Sequence, residues 1–475
     1  MRLPPPPPVA RAVARTPPDR DRLLDLIRAA ALAVVVLGHG LMGVIGWAGT
    51  QGGGQGTPVV SNALATYGWA SWATWLFQIM PLFFVAGGAV NARSWRSHRG
   101  AYAPWLWRRV ARLLRPVWVY LLVMAPLAGV VSWLAPPGWS VPLLSLTTQL
   151  LWFVGVYVLV GALTPVLVAL HARHWALGPA LWLGLSALVD LARLGLGLPM
   201  VLGLLNFVLV WALAAQLGLL LDDGQLATAR GLAAALGAMA VNLVLTTLGP
   251  YPTSMVGLPG EPFSNMAPPS LVLALHAVML TGLVGWARPA LTRLAAGPRV
   301  WTATTAVNLT AMTLYLWHLP VLIALVAVTH LLGLDRPVTW VDGQPVPAPG
   351  FWAWSVLFLA AFLAGVAGVV RIAGPAEHVP LRGWDRPARQ SLGAAGPEAR
   401  AAVVAALGCL AIGVGTLALS ATGLAGFPTR VLHVSGVPVN AAVAIALMVL
   451  GGFLVRDVGS KAQLSSTSSN PILRK

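Results

Sequence analysis

Charged residues are scarce in this chain. Asp, Glu, Lys and Arg make up only 9% of its 475 residues, whereas a soluble domain of ordinary composition carries roughly 25%. Hydrophobic residues reach 57%, and the mean hydropathy is +0.78. A water-facing surface cannot be built from so few charges, so the composition excludes an ordinary soluble enzyme and favours a membrane protein.

Cysteine is nearly absent as well. The single cysteine, Cys409, excludes a disulfide framework within the chain and any cysteine-based metal cluster. Because it lies in an apolar run, we interpret it as a buried core residue. The histidines are too scattered to suggest a metal site and no helical His–Glu pair occurs, so we predict no bound metal.

Acidic residues are few relative to basic ones, which gives a formal net charge of +17. In a soluble chain this charge would suggest nucleic-acid binding. Here the arginines cluster between apolar stretches, where basic loops set membrane topology and contact anionic lipid headgroups. We therefore expect contact with membrane lipid and no binding of nucleic acid.

Apolar stretches of about 20 residues, the length that crosses a bilayer, recur along the chain. The first begins near residue 23, after a Pro and Arg-rich tail at residues 1–22 that has no periodicity and is expected to be disordered. The later stretches cover residues 68–91, 113–135, 147–170, 175–190, 200–221, 228–249, 269–287, 304–333, 351–373, 401–424 and 436–455.

This pattern predicts an all-α fold, a polytopic transmembrane helical bundle. The membrane domain covers residues 23–373 with about ten spans. A polar, cytosolic linker at 374–400 then leads to two extra C-terminal spans within 401–455, and residues 456–475 form a cytosolic tail.

Basic residues predict how the spans are oriented. An even number of spans places both termini on the same side. If that side is the cytosol, the arginine-rich segments between spans are cytosolic too, and few basic residues fall opposite, namely Arg193, Arg336 and Arg430. The positive-inside rule therefore predicts a multi-pass protein of the cell membrane, the plasma or cytoplasmic membrane, with both termini in the cytosol.

The first span carries three ionisable side chains, those of Asp25, Arg28 and His39, in an otherwise apolar segment. On an α-helix Arg28 and His39 return to nearly the same face, roughly 17 Å apart along the axis. Asp25 falls on that face as well. Because ionisable groups in a membrane helix are costly, they mark a pathway or a reaction site, and this face is the candidate catalytic site.

A cluster of arginines follows the second span and consists of Arg108, Arg109, Arg112 and Arg115. On a helix these residues form a patch on the side that is predicted to be cytosolic. Guanidinium groups bind phosphate with two parallel hydrogen bonds, so the patch is a candidate site for the phosphates of a nucleotide-like donor. Topological charge in contact with lipid headgroups is the alternative.

Two other spans carry residues that perturb a membrane helix. Pro81 and the pair Gly87-Gly88 in the second span allow a bend and the close approach of another backbone or a ligand. In the ninth span His318 stands two residues before Pro320. His318 is a candidate to assist the site, and a histidine bonded to a neighbouring helix is an equally good interpretation.

Several of these residues form an ordered pattern. In chain order, the pattern consists of Asp25-x-x-Arg28, ten residues, His39, Pro81-Leu82-Phe83-Phe84-x-x-Gly87-Gly88, Arg109-x-x-Arg112, Leu151-Trp152-Phe153 and Tyr315-x-Trp317-His318. Each piece alone is weak, but their order and spacing resemble the acyltransferase-3 family of integral membrane acyltransferases. The resemblance implies a bundle of about ten spans, which the membrane domain provides.

The resemblance also implies an activity. Members move an acyl group, most often acetyl, from cytosolic acyl-CoA to a hydroxyl group at or beyond the outer membrane face. Acyl-CoA, usually acetyl-CoA, is then a co-substrate, and no permanently bound cofactor is expected. The acceptors are cell-surface carbohydrates, glycolipids or secreted small molecules. By the same resemblance His39 matches the catalytic histidine, Arg28 its partner, and Arg109 with Arg112 the motif tied to use of the donor.

The chain departs from the family pattern in two places. Gly87-Gly88 stands where many members have a Ser-Gly pair, so no hydroxyl is available there. The C-terminal span pair is an addition, and the sequence shows no sign of the hydrolase-like domain that some members carry in that position.

The predicted chemistry suits a histidine, because transfer to a hydroxyl needs a base and neutral imidazole serves as one near pH 7. Two mechanisms stay open: direct transfer with His39 as the base, or a transient acyl-imidazole that relays the group. The nucleotide of CoA would stay at the arginine patch while its pantetheine arm reaches His39. Candidate acceptor contacts are Tyr251, Glu261 and Asn265 in the loop after the seventh span, together with His318.

A multi-span transporter of a small polar or lipid-linked substrate is the alternative function, because transporter sites also lie near mid-membrane on interrupted helices. The two halves of this chain show no matching pattern, which favours the enzyme. A transporter would move its substrate without CoA, whereas the enzyme would release CoA. A degenerate family member that acts as a membrane scaffold is a third class, and the intact Arg28 and His39 argue against it.

Overall fold

A computed structural model of the protein describes residues 9–49, 56–98, 101–258, 261, 263–381, 384–385, 398–434 and 437–468. The protein is 74% helical, and within the described ranges the strands are short and pair into separate two-stranded hairpins. The prediction of an all-α polytopic helical bundle is confirmed.

The helices of the described segments follow one another along most of the chain. In order they are α1 (Val9–Ala14), α2 (Arg22–Met42), α3 (Ala70–Phe77), α4 (Met80–Arg96), α5 (Tyr102–Leu134), α6 (Pro137–Thr147), α7 (Leu151–Ala162), α8 (Thr164–Arg173), α9 (Leu177–Asp190), α10 (Asn206–Asp222), α11 (Thr228–Thr247), α12 (Leu271–Trp286), α13 (Arg288–Ala296), α14 (Pro298–Leu309), α15 (Ala311–Leu331), α16 (Phe351–Ala373), α17 (Glu398–Thr422) and α18 (Ala441–Ser468). The hairpin strands are β1 (Gly43–Ala48), β2 (Thr57–Asn62), β3 (Val338–Val341), β4 (Gln344–Pro347), β5 (Val431–Val434) and β6 (Val437–Asn440).

Eleven helical segments of the described residues are long and apolar enough to cross a membrane. α12 and α13, which bend by 68° at their junction, form a twelfth if the pair is one span. Long helices are the expected solution in lipid, because every backbone group must be hydrogen-bonded within the segment. With the bent pair included, the count agrees with the twelve stretches read from the sequence.

Several predicted boundaries differ from the structure. The ninth span, predicted from residue 304, begins at Ala311, since α14 ends at Leu309. α5 begins at Tyr102 and not near residue 113, so the arginine cluster lies within the helix. Its 33 residues extend over about 50 Å, well beyond the ~30 Å hydrocarbon core of a bilayer. The span predicted at 147–170 is shifted, because the membrane-crossing segment is Pro137–Ala162 and α8 begins a new helix at Thr164, before a proline.

The N-terminal tail is not wholly irregular. Residues 9–14 form α1, a short helix in a segment that was expected to be disordered, and α1 packs on α14. Trp301 in α14 donates its indole N–H to the hydroxyl oxygen of Thr16, 3.2 Å away. This tertiary contact, which the sequence pattern does not reveal, orders a segment that has no periodicity of its own. Residues 1–8 lie outside the described ranges.

One compact unit of the chain comprises Pro7–Arg93 and Leu163–Val369, and we call it the His39 unit. Within it α4 and α10 pack closely at glycine. A Cβ atom added at Gly88 would lie 2.6 Å from the Cα atom of Ala215, and one at Gly218 would collide with the backbone of α4. A side chain at either position would push the helices apart, so Gly88 serves the close approach of another backbone, as predicted.

A second compact unit comprises the described residues of Ser94–Ala162 and Val370–Lys475, and we call it the α5 unit. Its helices α17 and α18 pack through glycines, since a Cβ atom at Gly408 would lie 2.8 Å from the carbonyl oxygen of Gly451. α17 also packs on α7, and α18 packs on α5. Cys409 is free and fully buried in α17, as expected of a core residue. The predicted domain boundaries follow other positions and stay a prediction.

Candidate active site

Two histidines from distant parts of the chain meet in the His39 unit. His39 lies in the last turn of α2, and its Nδ1 is 3.0 Å from Nε2 of His318 in α15. The rings stack with their centroids 5.2 Å apart. His318 is fully buried and His39 is partly buried. The structure thus brings together two of the residues that the sequence singled out.

Hydrogen bonds assign the protons on these two rings. Nδ1 of His318 lies 3.0 Å from the carbonyl oxygen of Leu314. A carbonyl only accepts, so this nitrogen carries the proton, and in a neutral ring Nε2 of His318 is then unprotonated. Nδ1 of His39 therefore donates to it, which leaves a lone pair on Nε2 of His39. That lone pair is the feature a general base requires.

Asp25 and Arg28 do not reach this pair. α2 is one unbroken helix, so Arg28 lies roughly 17 Å from His39 along the axis, and Asp25 lies further away. Asp25 accepts two hydrogen bonds from Arg20, the shorter at 2.6 Å, and this contact raises the pKa of the Arg20 guanidinium. The guanidinium of Arg28 lies over the ring of Phe83, 5.4 Å from its centroid.

The start of α2 is held by ion pairs that the sequence pattern does not reveal. Asp21 caps the helix by accepting from backbone amides of the first turn, and its other oxygen is 2.7 Å from Arg93. Arg93 also pairs with Asp222 at the end of α10, and Arg288 lies 4.0 Å from Asp21. An aspartate directly before an apolar run is an N-cap signal, but nothing local indicates its partners.

The other end of α2 is held by Arg336, which the sequence marks only as one of the few basic residues opposite to the predicted cytosolic side. Its guanidinium donates to the carbonyl oxygen of Gly43, the residue that caps α2. It also lies over the rings of Phe351 and Phe358, at 4.8 and 4.2 Å from their centroids. Burial lowers the pKa of Arg336 to about 10. Since a cation is favourable at the carboxyl end of a helix, Arg336 stabilises the turn that carries His39.

In the α5 unit, the four predicted donor-binding arginines differ in exposure. Arg108 and Arg112 are exposed and lie one turn apart on α5, and Arg109 stacks over Trp105 at 4.2 Å from the ring centroid. Like charges four residues apart repel each other. Among the described residues Arg112 has no acidic partner, so this face of α5 carries uncompensated positive charge.

The fourth arginine, Arg115, is engaged within the protein. Its Nε donates to Asp385 at 3.0 Å and its Nη1 donates to the carbonyl oxygen of Glu377 at 3.0 Å. Both charged side chains of the pair are largely buried. Few of the N–H groups of Arg115 are therefore left for a donor phosphate.

The loop that was predicted to contact the acceptor is anchored on Asp190. The Tyr251 hydroxyl donates to this carboxylate at 3.0 Å, and Arg193 and Asn206 donate to it at 2.9 and 3.0 Å. The backbone amide of Leu271 donates as well, at 2.7 Å. Burial raises the pKa of Tyr251, and Asp190 adds to the effect. Asp190 and Arg193 are almost fully buried, and neither was a predicted site residue.

Asn265 holds the same loop from within. Its amide nitrogen donates to the carbonyl oxygens of Pro252 and Ser254, and its amide oxygen accepts from Ser270. The polar atoms of Asn265 and Tyr251 are thus used in hydrogen bonds that stabilise the loop, whereas Glu261 is exposed.

A third histidine in the helical bundle, His276 in α12, has a structural contact. Its Nε2 lies 3.0 Å from the carbonyl oxygen of Gln78, at the break between α3 and α4. A broken helix in lipid needs such a donor for its freed backbone groups. His276 is fully buried and satisfies one of them.

These features define a polytopic helical membrane protein with a paired histidine near the end of one span and an arginine-rich helix. The model of the acyltransferase-3 family, described as an acyltransferase domain, matches residues 21–373. The match covers more than half of the chain, and the protein belongs to this family, whose members are membrane acyltransferases. No curated protein matches the chain, and no solved structure matches it. α17 and α18 lie beyond the matched residues.

Proposed function

We propose that this membrane acyltransferase moves an acyl group, in the simplest case acetyl, from acyl-CoA to a hydroxyl group, with His39 as the catalytic residue. The observation that carries the proposal is the hydrogen bond from His39 to His318. Because Leu314 fixes the proton on His318, Nε2 of His39 is unprotonated and able to accept a proton.

In direct transfer, Nε2 of His39 takes the proton of the acceptor hydroxyl while the hydroxyl oxygen attacks the thioester carbonyl carbon. The C–S bond then breaks, and the departing CoA sulfur takes the proton from the imidazolium. The products are the ester and CoA. His318 accepts from Nδ1 of His39 throughout, so it holds the ring in the productive tautomer.

In the relay form, the same Nε2 attacks the thioester carbon, the C–S bond breaks, and the CoA thiolate takes a proton from water. The acceptor hydroxyl then attacks the acyl-imidazole, the N–C bond breaks, and the hydroxyl proton returns to the solvent, which leaves neutral His39 and the ester. Both forms need the lone pair on Nε2 of His39, so the geometry supports them equally.

We assign the donor nucleotide to the exposed face of α5. Arg108 and Arg112 repel each other unless an anion lies between them, and phosphate is the anion that guanidinium groups bind best. Arg109 is part of the family motif and lies beside them on α5. Arg115 is not part of this proposed site, because it is already paired with Asp385. Anionic lipid headgroups are the competing ligand for this face.

We further propose that the protein lies in the cell membrane with both termini in the cytosol, and that its acceptor is a carbohydrate, a glycolipid or a secreted small molecule. The family pattern and the positions of the basic residues support this. In the anchored loop, the exposed Glu261 is the side chain best placed to meet an acceptor, while Tyr251 and Asn265 hold the loop in shape.

The test is acetyl-CoA turnover by the purified protein in lipid nanodiscs, with octyl glucoside as a probe that offers sugar hydroxyls. His39→Ala is expected to lower CoA release by about a thousandfold, since general base catalysis contributes 10²–10⁴-fold. Binding of CoA and the melting temperature are measured on the same samples, and both should stay close to the parent.

CoA release by the parent, lost in His39→Ala with CoA still bound, supports the proposal. A parent that neither binds CoA nor releases it from acetyl-CoA overturns it. Turnover that survives in His39→Ala would remove this histidine from the catalytic role.

A further inference from the structure

A tryptophan from the linker after the family domain is buried against α5. Trp384 is only 8% exposed, and its indole N–H donates to the carbonyl oxygen of Ala111, 2.9 Å away. Its ring meets those of Trp107 and Trp118 edge to face, with centroids 4.9 and 5.4 Å apart. Such a contact is unusual for a polar linker, and it fixes this short segment on one face of the helix.

The next residue, Asp385, fastens the same segment by charge. It pairs with Arg115 through both carboxylate oxygens, and one of these oxygens also accepts from the backbone amide of Leu381 at 2.6 Å. Nη1 of Arg115 donates to the carbonyl oxygen of Glu377. One arginine of α5 therefore ties together two points of the linker, one on each side of Leu381.

α18 also packs against two of these tryptophans, Trp384 and Trp107. A Cβ atom added at Gly452 would lie 2.8 Å from the Trp384 ring, and one added at Gly459 would lie 2.9 Å from Cγ of Trp107. The two glycines are seven residues apart, about two helical turns, so they share one face of α18. Only glycine lets α18 approach the tryptophans this closely.

These contacts lie directly beside the exposed arginines. Arg108 follows Trp107, and Arg112 follows Ala111, so each exposed cation is next in sequence to a fastened residue of α5. Any rotation of α5 about its axis would break the Trp384 and Asp385 contacts and swing both guanidinium groups away. These contacts therefore fix the direction in which the guanidinium groups of Arg108 and Arg112 point.

We propose that Trp384, Asp385 and the glycine face of α18 form a clamp that positions Arg108 and Arg112 for the phosphates of the donor. This role rests on the proposed function, since it takes the exposed face of α5 as the donor site. The clamp lies wholly outside the matched family domain, so the C-terminal addition supplies positioning residues to the donor helix.

The test is the dissociation constant of CoA, measured by calorimetry on the full chain in nanodiscs. Asp385→Asn and Trp384→Phe, which keeps a ring but loses the N–H donor, are each expected to weaken CoA binding about tenfold. The exchange variant Arg115→Asp with Asp385→Arg restores the ion pair with its polarity reversed. It should bind CoA within about threefold of the parent.

Thr148→Val is the matched control for general destabilisation. Thr148 donates to the carbonyl oxygen of Leu419 in the same unit, 3.0 Å away, and this hydrogen bond does not involve the residues of the clamp. Its loss should lower the melting temperature about as much as Asp385→Asn does and leave CoA affinity unchanged.

The outcomes separate the two proposals. A parent that does not bind CoA overturns the donor site and the clamp with it. A parent that binds CoA, with clamp variants that bind equally well, overturns the clamp and leaves the donor site standing. Weakened binding that the exchange variant does not restore, or that Thr148→Val reproduces, assigns these residues to stability alone.

Discussion

α2 and α5 both carry charged side chains, and both are fixed by residues far away in the sequence. Their charged side chains differ in whether they are paired or exposed. On α2 the charge of Asp25 is neutralised by Arg20. On α5 Arg108 and Arg112 are exposed, and their like charges lie one turn apart. The comparison separates charges that are paired within the protein from charges that are left exposed, and it underlies our proposal of catalysis on α2 and donor binding on α5.

The largest effect is expected at the histidine pair of α2. His318→Leu removes the acceptor for Nδ1 of His39 and should lower kcat about a hundredfold with the CoA dissociation constant unchanged. His318→Gln, whose amide oxygen can accept the same proton, should retain most of the activity. Steady-state turnover of acetyl-CoA checks both variants, and equal losses in the two would show that His318 does not act through this hydrogen bond.

A smaller effect is expected on α5. The double variant Arg108→Ala with Arg112→Ala should raise the KM for acetyl-CoA about tenfold with kcat nearly unchanged, because it removes two charge-assisted contacts to phosphate. The KM of the parent should also rise with ionic strength, and that of the variant less so. Arg173→Ala removes an exposed arginine of α8 and is the control. A KM that rises equally in the control would indicate a general effect of surface charge.

The smallest effect is expected at the neutralised charge of α2. Arg20→Ala breaks the pair with Asp25, but half of the Arg20 side chain is exposed, so the loss of stability should be about 1 kcal/mol. The KM for acetyl-CoA and kcat should both stay at the parental values. Thermal unfolding and turnover measure the two effects. A KM that rises as it does in the α5 variant would contradict the distinction between the two helices.

The span pattern was predictable because length and hydropathy are local properties of the chain. Arg108 to Arg115 were also correctly seen as a helical cluster, although the start of α5 was placed too late. The same local logic found His39 and His318 as ionisable residues in apolar spans. Their contact joins positions 279 residues apart, and no local pattern encodes such a pairing.

Residues that stabilise a loop were harder to predict than charged residues. Tyr251 and Asn265 have side chains suited to a sugar, yet the structure uses both within the protein, because Asp190 and nearby carbonyl groups take their hydrogen bonds. Trp384 gave one usable signal, a large aromatic residue in a polar linker. Whether a polar side chain is free or engaged depends on tertiary contacts, which the sequence alone does not specify.

The α5 unit is built from two parts of the chain that are made at very different times. α5 and α7 are made early in synthesis, whereas α17 and α18 follow only after the whole family domain. Until then Gly155 of α7 lacks the packing partner that Thr416 of α17 supplies. A chain cut after residue 373 would carry the whole family domain and still lack α17 and α18, which pack on α7 and α5. Assembly of the α5 unit is therefore completed only after the family domain has been synthesised.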